Sequence, residues 1–423
     1  MKGKWIVAAV LSLAMLGLCA AMVGTLVFTI GRVGESAFNV RFGGIGLATV
    51  SAEATEEQRF AVTGDAVLDV QPGDQSAAGD VTVVAGTGDE IVVSAHKTAW
   101  AADTAKAEAA LADLKVQISQ QGNTVTVRVD RPPIINVNVG QGRPDRVDFT
   151  IAVPARTTVT ARTRFGNVSL TGTSGDADLG TSFGDVKASG LTAGIIKLDS
   201  AFGEVSLSES SAREIAGHTS NGAIMFDSVE AADSVDLSTE FGEITFKDGK
   251  AGSLRVNTSS GEVYLSGVSV KQTITVAGSF GGIKLEGATA RAYDLVTSSG
   301  AIALSGADGT VKAQTQFGDI TVSEASAVTL DLNTNSGGIE VSGSLGPGPH
   351  RLETQFGGIK LSLPEDTALN IDLSTQFGQI KNEFPTSIDG APDEKHWRGK
   401  INGGGESLTA ATDNGNITIQ ILK

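Results

Sequence analysis

The stretch VDLSTEFGEITF, residues 235–246, decides the fold. Val235, Leu237, Thr239 and Phe241 share one parity, hence one face of an extended chain, whereas beyond Gly242 the apolar residues Ile244 and Phe246 fall on the other. A glycine that shifts the phase by one residue reads as a corner between two strands facing one core. Leu295, Thr297 and Ser299, then Ile302 and Leu304, repeat the shift, as do Leu330, Leu332, Thr334 and Ser336, then Ile339 and Val341.

Working outward, the unit is Thr-x-Phe/Ser/Asn-Gly-x-Ile/Val. Its glycines are Gly166, Gly184, Gly203, Gly222, Gly242, Gly261, Gly281, Gly300, Gly318, Gly337, Gly357, Gly378 and Gly415. The first eleven intervals are 18 to 21 residues and the last is 37, with a Pro-containing excursion from Pro385 to Pro392. No independent globular unit closes in about 19 residues, so neighbouring units must stack to bury their apolar faces. The expected fold is therefore all-β: a parallel β-solenoid of about 19–20 residues per repeat, thirteen coils at ~4.8 Å giving a rod of roughly 60 Å. Two consequences are checkable: equivalent strands pair in parallel, and the corner phenylalanines point inward with the Leu and Thr of their parity.

Those corner residues are Phe165, Phe183, Phe202, Phe241, Phe280, Phe317, Phe356 and Phe377, replaced elsewhere by Asn221, Ser260, Ser299, Ser336 and Asn414. An exposed aromatic row stacks on sugar rings. Parity favours the other reading, large and small residues alternating to fill a layered core. Gly184, Gly203, Gly242, Gly281, Gly318 and Gly357 are structural corners. Thr fills the first repeat position in eleven of thirteen units, Ser200 and Gly278 being the exceptions, which reads as a buried hydroxyl ladder.

The next position is outward and polar: Ser182, Ser220, Ser259, Ser279, Ser298, Gln316, Gln355 and Gln376. These eight form a candidate binding strip for an extended polysaccharide or a protein, against the plainer reading of a solvated sheet face. After the corner come Asp185, Glu204, Glu243, Glu262 and Asp319. Adjacent carboxylates could share calcium, but the Gly-Gly-x-Gly-x-Asp repeat of calcium-loaded solenoids is missing and turn solvation explains them. His218 and His350 sit in different units with no motif around them and read as ordinary surface residues. The single cysteine, Cys19, and four scattered histidines give no Cys/His zinc cluster. No nucleophile elbow, P-loop or dinucleotide fingerprint appears, so no catalytic residue and no cofactor are expected.

The net charge of −16 argues against nucleic acid as a partner. Residues 5–31 carry no charge, and 27 residues make about 40 Å of helix, enough to span a bilayer core of about 30 Å. Lys2 and Lys4 precede them, so the positive-inside rule leaves the N-terminus in the cytoplasm and places the rest outside the cell membrane. The run is too long for a signal peptide, and Leu18 before Cys19 does not suit a lipobox. The expected organisation is a cytoplasmic stub and single-pass anchor over 1–32, a juxtamembrane linker over 33–57, a small α+β entry module over 58–160 and solenoid repeats over 161–423. The module carries a helix near 101–115 and a hairpin turning at Gly122-Asn123. It caps one end of the stack, and a loop excursion near 382–410 caps the other.

From about Phe60 to Lys423 the chain resembles the bacterial putative adhesin family, a domain of unknown function related to the head-GIN-domain adhesins. The resemblance is carried by VDFTIAVPARTTVTARTRFGNVSLTG, the TxFGxI and TSSGxI units, and GKINGGGESLTAATDNGNITIQI. It implies a right-handed β-helix at the cell envelope and brings no catalytic residues. The functional expectation is a non-enzymatic envelope solenoid that adheres to or binds glycan or protein. The alternatives are a structural or envelope-stress accessory that self-associates or binds a membrane partner, and a carbohydrate-active β-helix enzyme.

Overall fold

The computed structural model describes residues 50–71, 78–130, 145–389 and 393–423. The anchor expected over residues 5–31 lies outside the described residues, among which no helix is long and apolar enough to cross a membrane.

The Gly-cornered units stack in parallel and in register. Thr239 pairs with Thr219 on one side and Thr258 on the other, and Phe241 with Asn221 and Ser260. Eleven coils, from the Gly166 corner to the Gly357 corner, follow one another in chain order. The core runs up the middle: Val235, Leu237, Ile244 and Phe246 are buried, as are their equivalents in the neighbouring coils. Each such side chain contributes about 1.5–3 kcal/mol by leaving water, although no single coil buries enough to stand alone.

The corner itself is wider than parity suggested. Thr239 is the last inward side chain; Glu240 and Phe241 both lie outside, and inward alternation resumes at Ile244. A Cβ on Gly242 would lie 1.9 Å from the Gly222 carbonyl oxygen. Glycine is needed here because successive corners touch backbone to backbone. Thr239 Oγ1 donates to that same carbonyl at 3.2 Å, so hydroxyl and peptide fill the inside of the bend. No room is left there for a phenyl. The expectation that the corner phenylalanines pack inward is therefore overturned: all eight are exposed, from 37% at Phe165 to 73% at Phe377. The parallel stack stands regardless, because the phase shift is real and merely begins one residue earlier.

The threonine ladder is buried as expected, but its hydroxyls bond to backbone and not to one another. Thr181, Ser200, Thr219, Thr315, Thr334 and Thr354 each donate to the corner-glycine carbonyl of the preceding coil at 2.8 to 3.1 Å. Thr258 Oγ1 is buried without a partner.

At both ends the stack departs from chain order. Ala66–Gln71 and Val81–Gly86 form a coil against the Gly166 coil, its corner at Gly79. The chain then lays Thr124–Asp130 and Arg146–Pro154 on that coil's outer side before crossing back. Val50–Ala61, Glu90–Ala101 and Lys115–Gln121 complete this end in antiparallel pairings. The Val50–Ala61 strand begins inside the stretch expected as linker; it is a largely exposed edge, so it shows no apolar alternation. The helix spans Thr104–Asp113, shorter than expected, with Asp103 as N-cap accepting from the Lys106 N–H.

The C-terminal end mirrors this. Glu406–Asn414 pairs with His350–Phe356 on one side and Leu369–Thr375 on the other. The last segment of the chain is thus wedged in as the next-to-outermost coil, with Leu369–Thr375 outside it. The excursion is not all loop: Thr386–Ile388 and His396–Ile401 pair antiparallel, and His396–Ile401 covers Leu369–Thr375.

Candidate functional site

The phenylalanines and their substitutes occupy one register position and so line one edge of the stack. Phe165, Phe183 and Phe202 are consecutive, their centroids 5.1 and 5.0 Å apart and their planes within 9° and 3° of parallel. The Arg164 guanidinium lies 5.4 Å over the Phe165 ring and closes that end. Beyond Phe202 large and small residues alternate: Asn221, Phe241, Ser260, Phe280, Ser299, Phe317, Ser336, Phe356, Asn414, Phe377. In chain order the alternation breaks at Phe377. In space it does not, because the wedged coil sets Asn414 between Phe356 and Phe377.

Two shallow hollows flank this edge near its C-terminal end. One, of about 350 Å³, is lined by Asn333, Asn335, Glu353, Gln355 and Asp413 among others. The second, of about 320 Å³, is lined by Asp319, Thr321, Glu340, Lys360, Asn416 and Thr418 among others. Amides, hydroxyls and carboxylates beside an apolar ridge suit a polar polymer that also offers an apolar face.

The eight strip residues precede the edge position in their coils. Ser259, Gln316, Gln355 and Gln376 are exposed, while Ser182, Ser220, Ser279 and Ser298 are half-buried. Gln355 lines the larger hollow, and Gln376 donates to Asp413 at 2.8 Å. The corner glycines Gly184, Gly203, Gly281, Gly318 and Gly357 all meet the preceding corner's carbonyl as Gly242 does.

The post-corner acids have a backbone task. Asp80, Asn167, Asp185 and Asp319 each accept the N–H of the equivalent residue one coil on, at 2.7 to 3.0 Å. Asn416 does the same for Gln379 at 2.9 Å. The longer Glu243 instead accepts the Thr245 hydroxyl at 2.9 Å. Among the described residues no three His, Cys, Asp or Glu side chains come together as a metal site. His218 is exposed and bonds to Ser238 at 2.9 Å. His350 is not a surface residue: it is buried, taking the Leu330 N–H on Nδ1 at 3.3 Å and reaching the Gly346 carbonyl through Nε2 at 3.2 Å. Burial lowers its pKa, against the pull of the Gly346 carbonyl and of Glu406.

The family model described as Toastrack DUF4097 matches residues 75–234, 213–345 and 309–420, three overlapping passes along the coils. The chain belongs to this toastrack family. No curated protein matches it. Among solved structures, the toastrack chain is similar to one described as a putative adhesin from Bacteroides fragilis, at 15% identity and TM-score 0.34, over 66% of this chain and 98% of that one. It is also similar to one described as a putative cell adhesion protein from Clostridium sporogenes, at 9% identity and TM-score 0.17, over 88% of this chain and 100% of that one.

What sequence reasoning missed is that the alternating row faces solvent. The one available signal was a repeated aromatic next to a glycine whose partner glycine must touch it, since such contact excludes a large side chain from the inside of the bend.

Proposed function

We propose that this toastrack protein is a non-enzymatic adhesion or binding module of the cell envelope, displayed outside the membrane on the N-terminal apolar segment. The coils wind in the right-handed sense favoured for parallel crossovers. One observation carries the reading: eight phenyls on a single edge stay in water although the core beside them is closely packed. Scattered surface apolar residues are ordinary, but eight exposed phenyls held in one row, with polar hollows beside it, mark a binding surface. The charged groups of the hollows lie on neighbouring coils and make local contacts, as in the Lys360–Glu340 pair at 2.6 Å; no nucleophile–base pair is assembled there.

The test uses the full chain in detergent micelles, immobilised and exposed to a panel of envelope polysaccharides and to intact bacterial envelopes. A triple variant, Phe280→Ser, Phe317→Ser and Phe356→Ser, should capture at least about tenfold less material, as expected when central anchors are removed. Equal capture by the two proteins would mean that the edge is not the ligand surface.

A further inference from the structure

From Phe202 to Phe377 the edge has a period of two coils. Coils repeat every ~4.8 Å, so successive phenyls there stand roughly 9.6 Å apart. The Phe165, Phe183, Phe202 trio shows what the edge accepts when every coil carries a phenyl: a face-to-face column with centroids 5.0 to 5.1 Å apart. One further ring in each gap of the alternating stretch would reproduce that column. The chain places Asn or Ser in those gaps.

We propose that the gaps are filled by a second copy of this chain, two phenylalanine edges interdigitating antiparallel about a two-fold axis. This inference rests on the reading of the edge as a binding surface and names its occupant. The axis falls midway between the coils of Ser299 and Phe317. It sets Phe317 of one copy against Ser299 of the other, Phe280 against Ser336, Phe356 against Ser260, Phe241 against Asn414 and Phe377 against Asn221. An axis through a coil would instead oppose phenyl to phenyl and serine to serine, leaving clashes beside voids.

Size and symmetry support a second copy. The five phenyls are 55% to 73% exposed, so interdigitation hides roughly 600 Å² per copy, before the flanking residues are counted, against ~800 Å² per partner in a standard interface. A two-fold pairing uses one patch on both sides and closes at two copies. The self-complementary phase runs through Phe377 only because Asn414 is wedged beside it. A sugar ring needs a phenyl face, whereas the trio's inner faces are covered by one another. The net charge of −16 opposes approach, and Glu240, Glu243 and Asp413 adjoin the edge, so association strengthens as salt screens them.

Sedimentation equilibrium of the full chain in detergent micelles tests this. The wild-type protein should be dimeric, more tightly at about 0.5 M salt than at about 0.05 M, and Phe280→Ser with Phe317→Ser should weaken the dimer at least about tenfold. The discriminating variant is Ser299→Phe with Ser336→Phe. It fills the gaps within each copy and adds exposed apolar surface, so interdigitation predicts at least about tenfold weaker association whereas general stickiness predicts stronger. A second measurement needs only a conservative change: with Cys19→Ser, chains carrying Ser299→Cys should cross-link to one another through a short bismaleimide, and chains carrying Ser269→Cys on another side of the coil should not. A monomeric wild-type chain, a gap-filled pair that associates as well or better, or equal cross-linking at both sites overturns the proposal. Envelope capture that depends on the phenylalanines in a monomeric chain refutes only the dimer; a dimer that captures nothing refutes only the ligand reading.

Discussion

Phe356 stands beside Asn414 in the stack, and Phe377, the next phenylalanine in the chain, lies on the far side of that asparagine, its N–H donating to the Asp413 carbonyl at 2.8 Å. The coil Glu406–Asn414 therefore has two parallel neighbours, although it comes from the very end of the chain. A segment paired on both faces in this way holds in place what lies outside it.

Removing residues 406–423 exposes the faces of two coils, not one. Leu369–Thr375 and the antiparallel cover His396–Ile401 then lose their attachment to the rod. Trypsin should cut the truncated chain rapidly at Lys381, Lys395 and Lys400 while leaving the coils before Gly357 protected. Equal protection of those three sites in full-length and truncated chains would show that the wedged coil does not hold the cap.

Phe317 and Phe246 are the same residue in opposite settings, one 56% exposed and one fully buried. Phe246→Ala should destabilise by about 3–5 kcal/mol, the range for emptying a packed phenyl site. In protein dilute enough to be monomeric, Phe317→Ala should stay within about 0.5 kcal/mol of wild type, as surface changes do. Denaturant midpoints, with the detergent held constant, separate the two. A cost at Phe317 as large as at Phe246 contradicts the outward corner.

Within the hydroxyl ladder, Thr334 donates to the Gly318 carbonyl at 2.9 Å, whereas Thr258 is buried with no partner. Thr334→Val leaves a buried carbonyl unpaired and should cost about 1–3 kcal/mol. Thr258→Val removes an unsatisfied hydroxyl and should be neutral or stabilising. Urea unfolding of the two variants checks the contrast, and equal losses would remove the case for the ladder as a set of hydroxyl-to-carbonyl bonds.

Burial disfavours the charged form of His350, and its Nδ1 accepts the Leu330 N–H. Its folded pKa lies below the unfolded value of about 6.5. The unfolded chain thus takes the proton first, so the contribution is whole above about pH 6.5 and is lost as the pH falls through the folded value. Chemical denaturation between about pH 7 and pH 5 should show wild type losing more stability than His350→Gln, which keeps a donor and an acceptor but does not titrate there. Identical slopes would show that His350 does not titrate on unfolding.

Much of the fold was legible because stacking is a nearest-neighbour property. Each coil must present the same inward pattern to the coil above and below, so Val235, Leu237, Ile244 and Phe246 have counterparts every 18 to 21 residues. The cap strand Val50–Ala61 was not legible, since an exposed edge strand is held by backbone pairing to Glu90–Ala101 and needs no apolar alternation. The Gly79 coil was missed for a related reason: Ala78 stands where the repeat carries Phe, Ser or Asn, and a long insertion separates it from the coil on which it stacks.

Recurring glycines and the inward pattern on either side of them determined by themselves that this chain would coil and stack in parallel, because no other arrangement buries so many short apolar runs. Only the tertiary structure decided where the phenyls point, since glycine corners packed backbone to backbone close the inside of each bend. It also decided which coil is neighbour to which at the ends. Similar coils offer similar stacking surfaces, so their order is set by the caps that enclose them, and that order is what carries the alternation of the edge through to Phe377.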